Sequence, residues 1–250
     1  ADEKALYRQL NGGHSQKGLK IRTLFKIAGG IDCERFRPLT TRERLKARRR
    51  YDIPDDVLVL GHVGLMAGRG QEELVDAISL LINAKVPKIP HILFVGRGEN
   101  EEALRAQVSK SIAAEYIHFA GYLQGAELNI GYAAMDAAFC AQPGNDASAR
   151  AVLEAMGCGL PILAVSVGAL AETVSYRTGY LIDSRTPLAI ADGIKDWCGD
   201  LVQARQRGEN AAEFVASERS FKSEASQTLE PVSYTHLRAH ATRHDLVCRL

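Results

Sequence analysis

The sequence predicts an α/β fold, a Rossmann-like parallel sheet with helices on both faces. From Leu58 onward, short apolar runs alternate with longer amphipathic segments, the pattern of repeated βα units. The runs are close to continuously apolar, as in Val57-Leu58-Val59-Leu60, which suits strands covered on both faces. Loops that follow such strands are where an open parallel sheet holds its ligands, and here they carry glycines and charged residues.

Taken in order, the apolar runs predict strands at Val57–Val63, Ile92–Val95, Tyr116–Phe119, Ala137–Ala141, Ile162–Val165 and Tyr180–Ile182. Amphipathic segments predict helices at Gln71–Asn83, Glu101–Ser111, Ala126–Ala134, Ala149–Met156 and Leu170–Val174, with one longer helical stretch at Pro187–Ala204. Small polar residues open the Ala149–Met156 helix, and Gly-Cys-Gly-Leu-Pro ends it sharply. Residues 28–205 are thus expected as one Rossmann-like domain and 206–231 as a C-terminal helical segment. Residues 1–27 read as the remnant of an upstream domain and a hinge, since the first residue is not Met and Asn11-Gly-Gly-His-Ser-Gln-Lys-Gly is a flexible stretch.

The last nineteen residues, Val232–Leu250, break the pattern. Val-Ser-Tyr-Thr-His-Leu-Arg-Ala-His resembles one reading frame of a transposase adapter used in sequencing libraries, and Leu246–Leu250 resembles the matching flow-cell adapter. Ala241 is the departure from that frame. The segment is therefore expected to be a non-native tail, and the spacing of His236, His240 and His244, which could pass for a helical metal site, is discounted.

Composition excludes several classes. The formal net charge is +1, from 31 basic and 30 acidic residues spread along the chain, so no field steers nucleic acid. Five cysteines lie far apart without a CxxC pair, which points to a reducing, cytoplasmic setting rather than a disulfide scaffold. No apolar run approaches the roughly 20 residues that span a bilayer.

Two loops carry chemistry. The first, Val63-Gly64-Leu65-Met66-Ala67-Gly68-Arg69-Gly70-Gln71, lets backbone approach a phosphate at a helix N-terminus, with Arg69 adding a charge-assisted bond. Its bland reading is a glycine-rich turn with a solvated arginine. The spacing of Gly64, Gly68 and Gly70 does not make the Gly-x-Gly-x-x-Gly dinucleotide fingerprint, which argues against a nicotinamide-dependent dehydrogenase. In the second, Pro143–Pro161, Asp146 lies at a helix mouth and Glu154 about two turns in, on the order of 12 Å along the axis. That separation matches an extended ligand with a sugar at the mouth and a ribose further down. It equally suits an N-cap aspartate plus a glutamate paired with Arg150 one turn away. His62 and His118 sit in or beside apolar strands and read as core or loop histidines.

The order Gly-Ile-Asp-x3-Phe-x-Pro (Gly30, Ile31, Asp32, Phe36, Pro38), Val-Gly with Arg-Gly-Gln, Leu-Phe-Val-Gly-Arg-Gly, Phe-Ala-Gly-Tyr, Glu-Leu-x3-Tyr-Ala-Ala-Met-Asp and Leu-Glu-Ala-Met-Gly-Cys-Gly-Leu-Pro resembles family 4 retaining glycosyltransferases of bacterial type. The resemblance runs from about Ile27 to Ile182. It implies the C-terminal, donor-binding half of a GT-B fold and a hexosyltransferase that binds a nucleoside-diphosphate sugar, without metal or other cofactor. By position, Glu154 matches the carboxylate that binds the ribose, and Asp146 falls where a glutamate beside the transferred sugar usually stands, the catalytic position. Ser148 and Ala149 match helix-mouth backbone facing sugar and phosphates, and Tyr122 lies where the chain passes the base. Gly64 keeps the glycine of the first loop. Leu65 replaces the family's phosphate-binding Arg, Arg69 can replace its Lys only if the loop is one residue shorter, and Arg150 is a candidate substitute. The acceptor, a sugar or lipid-linked glycan, and any peripheral membrane contact would belong to the missing N-terminal half, so this chain is expected to bind but not turn over. The alternatives are a non-catalytic nucleotide-sugar-binding module and a nucleotide-sugar epimerase-like GT-B protein.

Overall fold

Alternation of side chains builds the centre of the molecule. In the strand His91–Val95, Ile92 and Phe94 face one apolar layer while Leu93 and Val95 face the other, and all four are buried. A strand buried on both faces belongs in a parallel sheet. The computed structural model describes residues 29–142, 146–168 and 170–229, with backbone alone at 146–149 and 172. Gly29–Phe221 forms one compact unit, and the helical residues 222–229 are assigned to another.

The strands are β1 (Val59–Val63), β2 (His91–Val95), β3 (Ile117–Gly121), β4 (Ala137–Cys140), β5 (Ile162–Val165) and β6 (Gly179–Ile182). All pair in parallel in the order β3-β2-β1-β4-β5-β6, so the strand order reverses between β1 and β4. The helices are α1 (Thr41–Arg50), α2 (Gln71–Asn83), α3 (Glu101–Lys110), α4 (Ala126–Ala133), α5 (Asp146–Gly157), α6 (Leu170–Thr173), α7 (Pro187–Gly199) and α8 (Leu201–Glu218). Leu74, Ile78 and Leu81 of α2 and Trp197 of α7 enter one apolar layer. Ala47 of α1, Tyr132 of α4, Met156 of α5 and Val215 of α8 enter the other. No described helix is long and apolar enough to cross a membrane.

The expected α/β sheet is present, with three departures. Helix α1 answers no expectation: Arg-rich Thr41–Arg50 carries little apolar periodicity. It is fixed by a capping box in which Thr40 Oγ1 accepts from Glu43 N and Glu43 Oε2 accepts from Thr40 N. The Thr40 N–H and hydroxyl, which donate to Glu43 Oε2, together with Arg37 on Oε1, hold the Glu43 carboxyl down at about 2. The single stretch Pro187–Ala204 is two helices, because Asp200 leaves helical geometry (φ −137°, ψ 89°) and its carboxylate caps the second by accepting from Gln203 N at 2.9 Å. Helix α8 consequently runs straight through residue 205, where the domain was expected to end. Finally, α5 begins at Asp146 rather than Ala149. The tail Val232–Leu250 and the segment 1–27 lie outside the described residues.

Candidate functional site

Where the strand order reverses, the loops leaving β1 and β4 diverge to opposite faces and open a crevice at the C-terminal strand ends. A cavity of about 620 Å3 lies at this end, lined by Gly64, Leu65, Gly96, Arg97, Tyr122, Arg35, Arg150 and Glu154 among others. That volume is in the range of small-molecule sites.

The loops that wall it continue the parallel ladder past the strands. Gly64 N donates to Val95 O at 3.0 Å, Met66 N to Arg97 O at 3.1 Å and Gly96 N to Gly121 O at 2.8 Å. The chains approach so closely that a Cβ on Gly96 would stand 1.9 Å from Gly64 O, and Gly96 has φ +136°. Only glycine fits there. The ladder sets Leu65, Arg97 and Tyr122 on neighbouring loops, with the Arg97 guanidinium 4.8 Å from the centre of the Tyr122 ring. Leu65, at the position of the expected arginine, is 48% exposed.

Gln71 laces the first loop. Its amide donates to Leu65 O at 2.9 Å and to His62 Nε2 at 3.0 Å, and its oxygen accepts Arg69 N at 2.7 Å. With Nε2 accepting, His62 carries its proton on Nδ1 and donates to Phe139 O at 3.3 Å. Burial drives His62 down to about 4, so it is a neutral core histidine, as expected. The Arg69 side chain does not line the cavity.

Helix α5 delivers the carboxylate. Glu154 is buried, and its oxygens are partnered within the fold: the Tyr132 hydroxyl donates to Oε2 at 3.0 Å and Arg150 Nε to Oε1 at 3.3 Å. Burial raises the Glu154 carboxyl above the usual range, with Tyr132, Arg150 and Arg35 opposing that shift. Asp146, Ser148 and Ala149 occupy the first turn of α5, the end at which backbone N–H groups point outward; their side chains lie outside the described residues.

Of the expected site residues, the cavity gathers Gly64, Tyr122, Arg150 and Glu154. Two lining arginines were not anticipated. Arg97 stands in the Leu-Phe-Val-Gly-Arg-Gly run directly after β2, a position that strand-end logic favours. Arg35 comes from the segment before α1 and reaches the wall by long-range bonds, Nε to Asn129 Oδ1 at 3.4 Å and Nη2 to Gly125 O, while Asn129 Nδ2 donates to Arg35 O at 3.1 Å. Three arginines and one carboxylate thus line the same cavity, a surface suited to an anion that also offers hydroxyl donors. A second cavity of about 420 Å3 opens at the opposite strand ends, where Arg44 and Asp136 already pair with each other. Among the described residues no group of three His, Cys, Asp or Glu side chains is placed to hold a metal ion.

The family model described as "Glycosyl transferases group 1" matches residues 54–200, which takes in β1 through α7 and every loop of the cavity from Gly64 to Glu154. The chain belongs to the group 1 glycosyl transferases. One relative is the GDP-mannose-dependent alpha-(1-6)-phosphatidylinositol monomannoside mannosyltransferase of Mycobacterium tuberculosis, 29% identical over 196 residues, covering 76% of this chain and 50% of the relative. Another is the D-inositol 3-phosphate glycosyltransferase of Corynebacterium urealyticum, 30% identical over 213 residues, covering 82% of this chain and 49% of the relative. Among solved structures, Anabaena HepE in complex with UDP and glucose aligns with a TM-score of 0.72 at 21% identity, over 83% of this chain and 56% of that one. At that identity the likeness speaks for the fold. The chain spans about half the length of the curated relatives it matches.

Proposed function

We propose that this chain is the donor-binding half of a retaining glycosyltransferase, which moves a hexosyl group from a nucleoside diphosphate to an acceptor hydroxyl. The observation that carries this reading is the buried Glu154 carboxylate in the wall of a strand-end cavity that also holds Arg35, Arg97 and Arg150. Glu154 takes the ribose hydroxyls. Arg150 and the N–H groups of Ser148 and Ala149 take the diphosphate, Tyr122 flanks the base, and Asp146 stands beside the sugar. These donors stabilise the negative charge that grows on the departing diphosphate, which is the main catalytic contribution of this half. The acceptor, a sugar or lipid-linked glycan, is held by an N-terminal half.

The mycobacterial relative is named for GDP-mannose and the Anabaena structure contains UDP, so GDP and UDP are both tested. Calorimetric titration of the parent and Glu154→Gln should show nucleoside-diphosphate binding weakened by roughly 1.5–3 kcal/mol in the variant, the scale of a hydrogen bond to a charged group. The melt should change little, because Gln still accepts from Tyr132 and the Arg150 side chain, 61% exposed, can be hydrated once its partner is neutral. A parent that binds neither nucleotide at millimolar concentration sinks the reading. The alternative of a binding module without transfer activity is not favoured, since the relatives are named as transferases; a full-length protein that binds nucleotide sugar but transfers nothing would revive it.

A further inference from the structure

Tyr132 is buried to 1% exposure in α4, edge-on to Phe36 with ring centroids 5.9 Å apart. Its hydroxyl oxygen lies 3.0 Å from Glu154 Oε2 and 3.2 Å from Ala151 O. One phenol has one proton to give, and an ionised carboxylate is the stronger acceptor of the two. Among the described residues, the other carboxylate oxygen is met by Arg150, at 3.3 Å and with 61% of that side chain exposed. One oxygen of Glu154 is therefore held from inside the fold by a rigid donor, and the other by a movable one.

We propose that Tyr132 is a positioning residue of the donor site: it fixes the plane of the Glu154 carboxylate so that both oxygens face two adjacent ribose hydroxyls, while Arg150 is a stand-in that the ligand displaces. The inference rests on the donor-binding reading above. Each oxygen accepts about two hydrogen bonds, so Oε2 keeps one site beside Tyr132 and Oε1 is freed when Arg150 turns to the phosphates. A carboxylate without that internal donor must be ordered by the ligand itself, which weakens binding.

The groups facing Glu154 are Tyr132 from α4, Arg150 from α5, the Cys158 thiol just past the end of α5, and Arg35 from the segment before α1. Both arginines and Tyr132 favour the ionised carboxylate; burial opposes it, and burial also pushes Cys158 up to about 12, leaving it a neutral thiol. Removing the Tyr132 hydroxyl raises the Glu154 pKa further. Ribose binding needs the ionised form, so on acidification it fails at a higher pH in the variant than in the parent.

The test titrates the full chain with GDP, UDP and their 2′-deoxy counterparts over acid to neutral pH, in the parent, Tyr132→Phe, Glu154→Gln and a chain with 3-fluorotyrosine at position 132. Tyr132→Phe should weaken ribonucleotide binding roughly ten-fold, weaken the deoxy analogues much less, and move the acid midpoint upward. The fluorinated phenol, a stronger donor, should move the midpoint downward, and it decides the matter alone if Tyr132→Phe does not fold. A Tyr132→Phe protein with an unchanged ribose preference and an unchanged midpoint overturns the proposal even if it melts earlier, while loss of that preference in Glu154→Gln keeps the donor reading standing. If Glu154→Gln also retains the preference, or the parent binds no nucleotide, the donor reading falls and takes the proposal with it.

Discussion

Replacing Asp136 by Asn tests the ion-pair network that ties the starts of β1 and β4 to α1. The Asp136 carboxylate takes Arg44 on one oxygen and Arg48 on the other, and also accepts Val59 N at 2.8 Å. Its own N–H donates to Val59 O at 2.8 Å. Arg48 is 1% exposed and donates from its other two nitrogens to the carbonyls of Asp55, Val57 and Ala134. Breaking a buried pair from one side costs about 3–5 kcal/mol, because the remaining charge stays buried. Asn keeps an acceptor for Val59, which places Asp136→Asn near the lower end, at about 3 kcal/mol. For a domain of this size that corresponds to a fall in Tm of roughly 6–12 °C. Arg44, 41% exposed on its side chain, should cost no more than about 1 kcal/mol when changed to Ala. Urea unfolding of both variants, with m compared to the parent, measures the two figures. A loss below about 1 kcal/mol in Asp136→Asn, or equal losses in the two variants, would refute the reasoning.

Three further outcomes are expected. His62, at about 4 when folded against an unfolded value near 6.5, favours the folded state above pH ~6.5; that stability drains as pH falls toward 4, by on the order of 3 kcal/mol, so His62→Gln should flatten the urea midpoint across this window. Burial also lowers His91 and His118, which contribute in the same direction and make the difference between variant and parent the quantity to read. Gly96→Ala puts a methyl group 1.9 Å from Gly64 O at φ +136° and should abolish nucleotide binding in titration while lowering stability by more than about 2 kcal/mol; unaltered binding would mean that the loop ladder is not part of the site. Leu65→Arg restores a cation to the cavity wall and should tighten GDP or UDP binding by roughly three- to ten-fold at low salt, with the gain shrinking as salt is added.

The parallel sheet was legible because its physics is local. Helix α2 was read to its end residues, since Gly70 breaks the chain before it and Leu74, Ile78 and Leu81 share one buried stripe. Helix α1 was not, because its stability comes from Thr40, Glu43 and the distant Asp136 rather than from an apolar face. The break at Asp200 is a single residue between two helix-competent segments, so periodicity runs across it. At the site, the two-turn spacing from the helix mouth pointed to Glu154 and the glycine-rich loop after the first strand to Gly64, while Tyr122 came from the family resemblance. Arg35 had no such signal, for it meets Asn129 only after the chain has folded. Arg69 looked well placed by sequence distance, yet Gln71 captures its backbone N–H and its side chain stays off the cavity wall. Tyr132 carries the pattern of a core aromatic, and its hydroxyl partner is 22 residues away.

The same chemical pair, a carboxylate with an arginine, occurs at both ends of the sheet and does opposite work. At the N-terminal strand ends, Arg48 is 1% exposed and each of its nitrogens has a hydrogen-bond partner, so exchanging its partner would strand a buried charge at a cost of several kcal/mol. At the C-terminal ends, the guanidinium that meets Glu154 is 61% exposed and water can replace it for about 1 kcal/mol or less. Glu154 itself is as buried as a structural carboxylate, but among the described residues Tyr132 alone holds it from within. A buried acid with one fixed partner and one exchangeable partner is ready to accept hydroxyl donors without first breaking the fold, which is why the carboxylate in the cavity, rather than the one beneath the sheet, is the group available to a ligand.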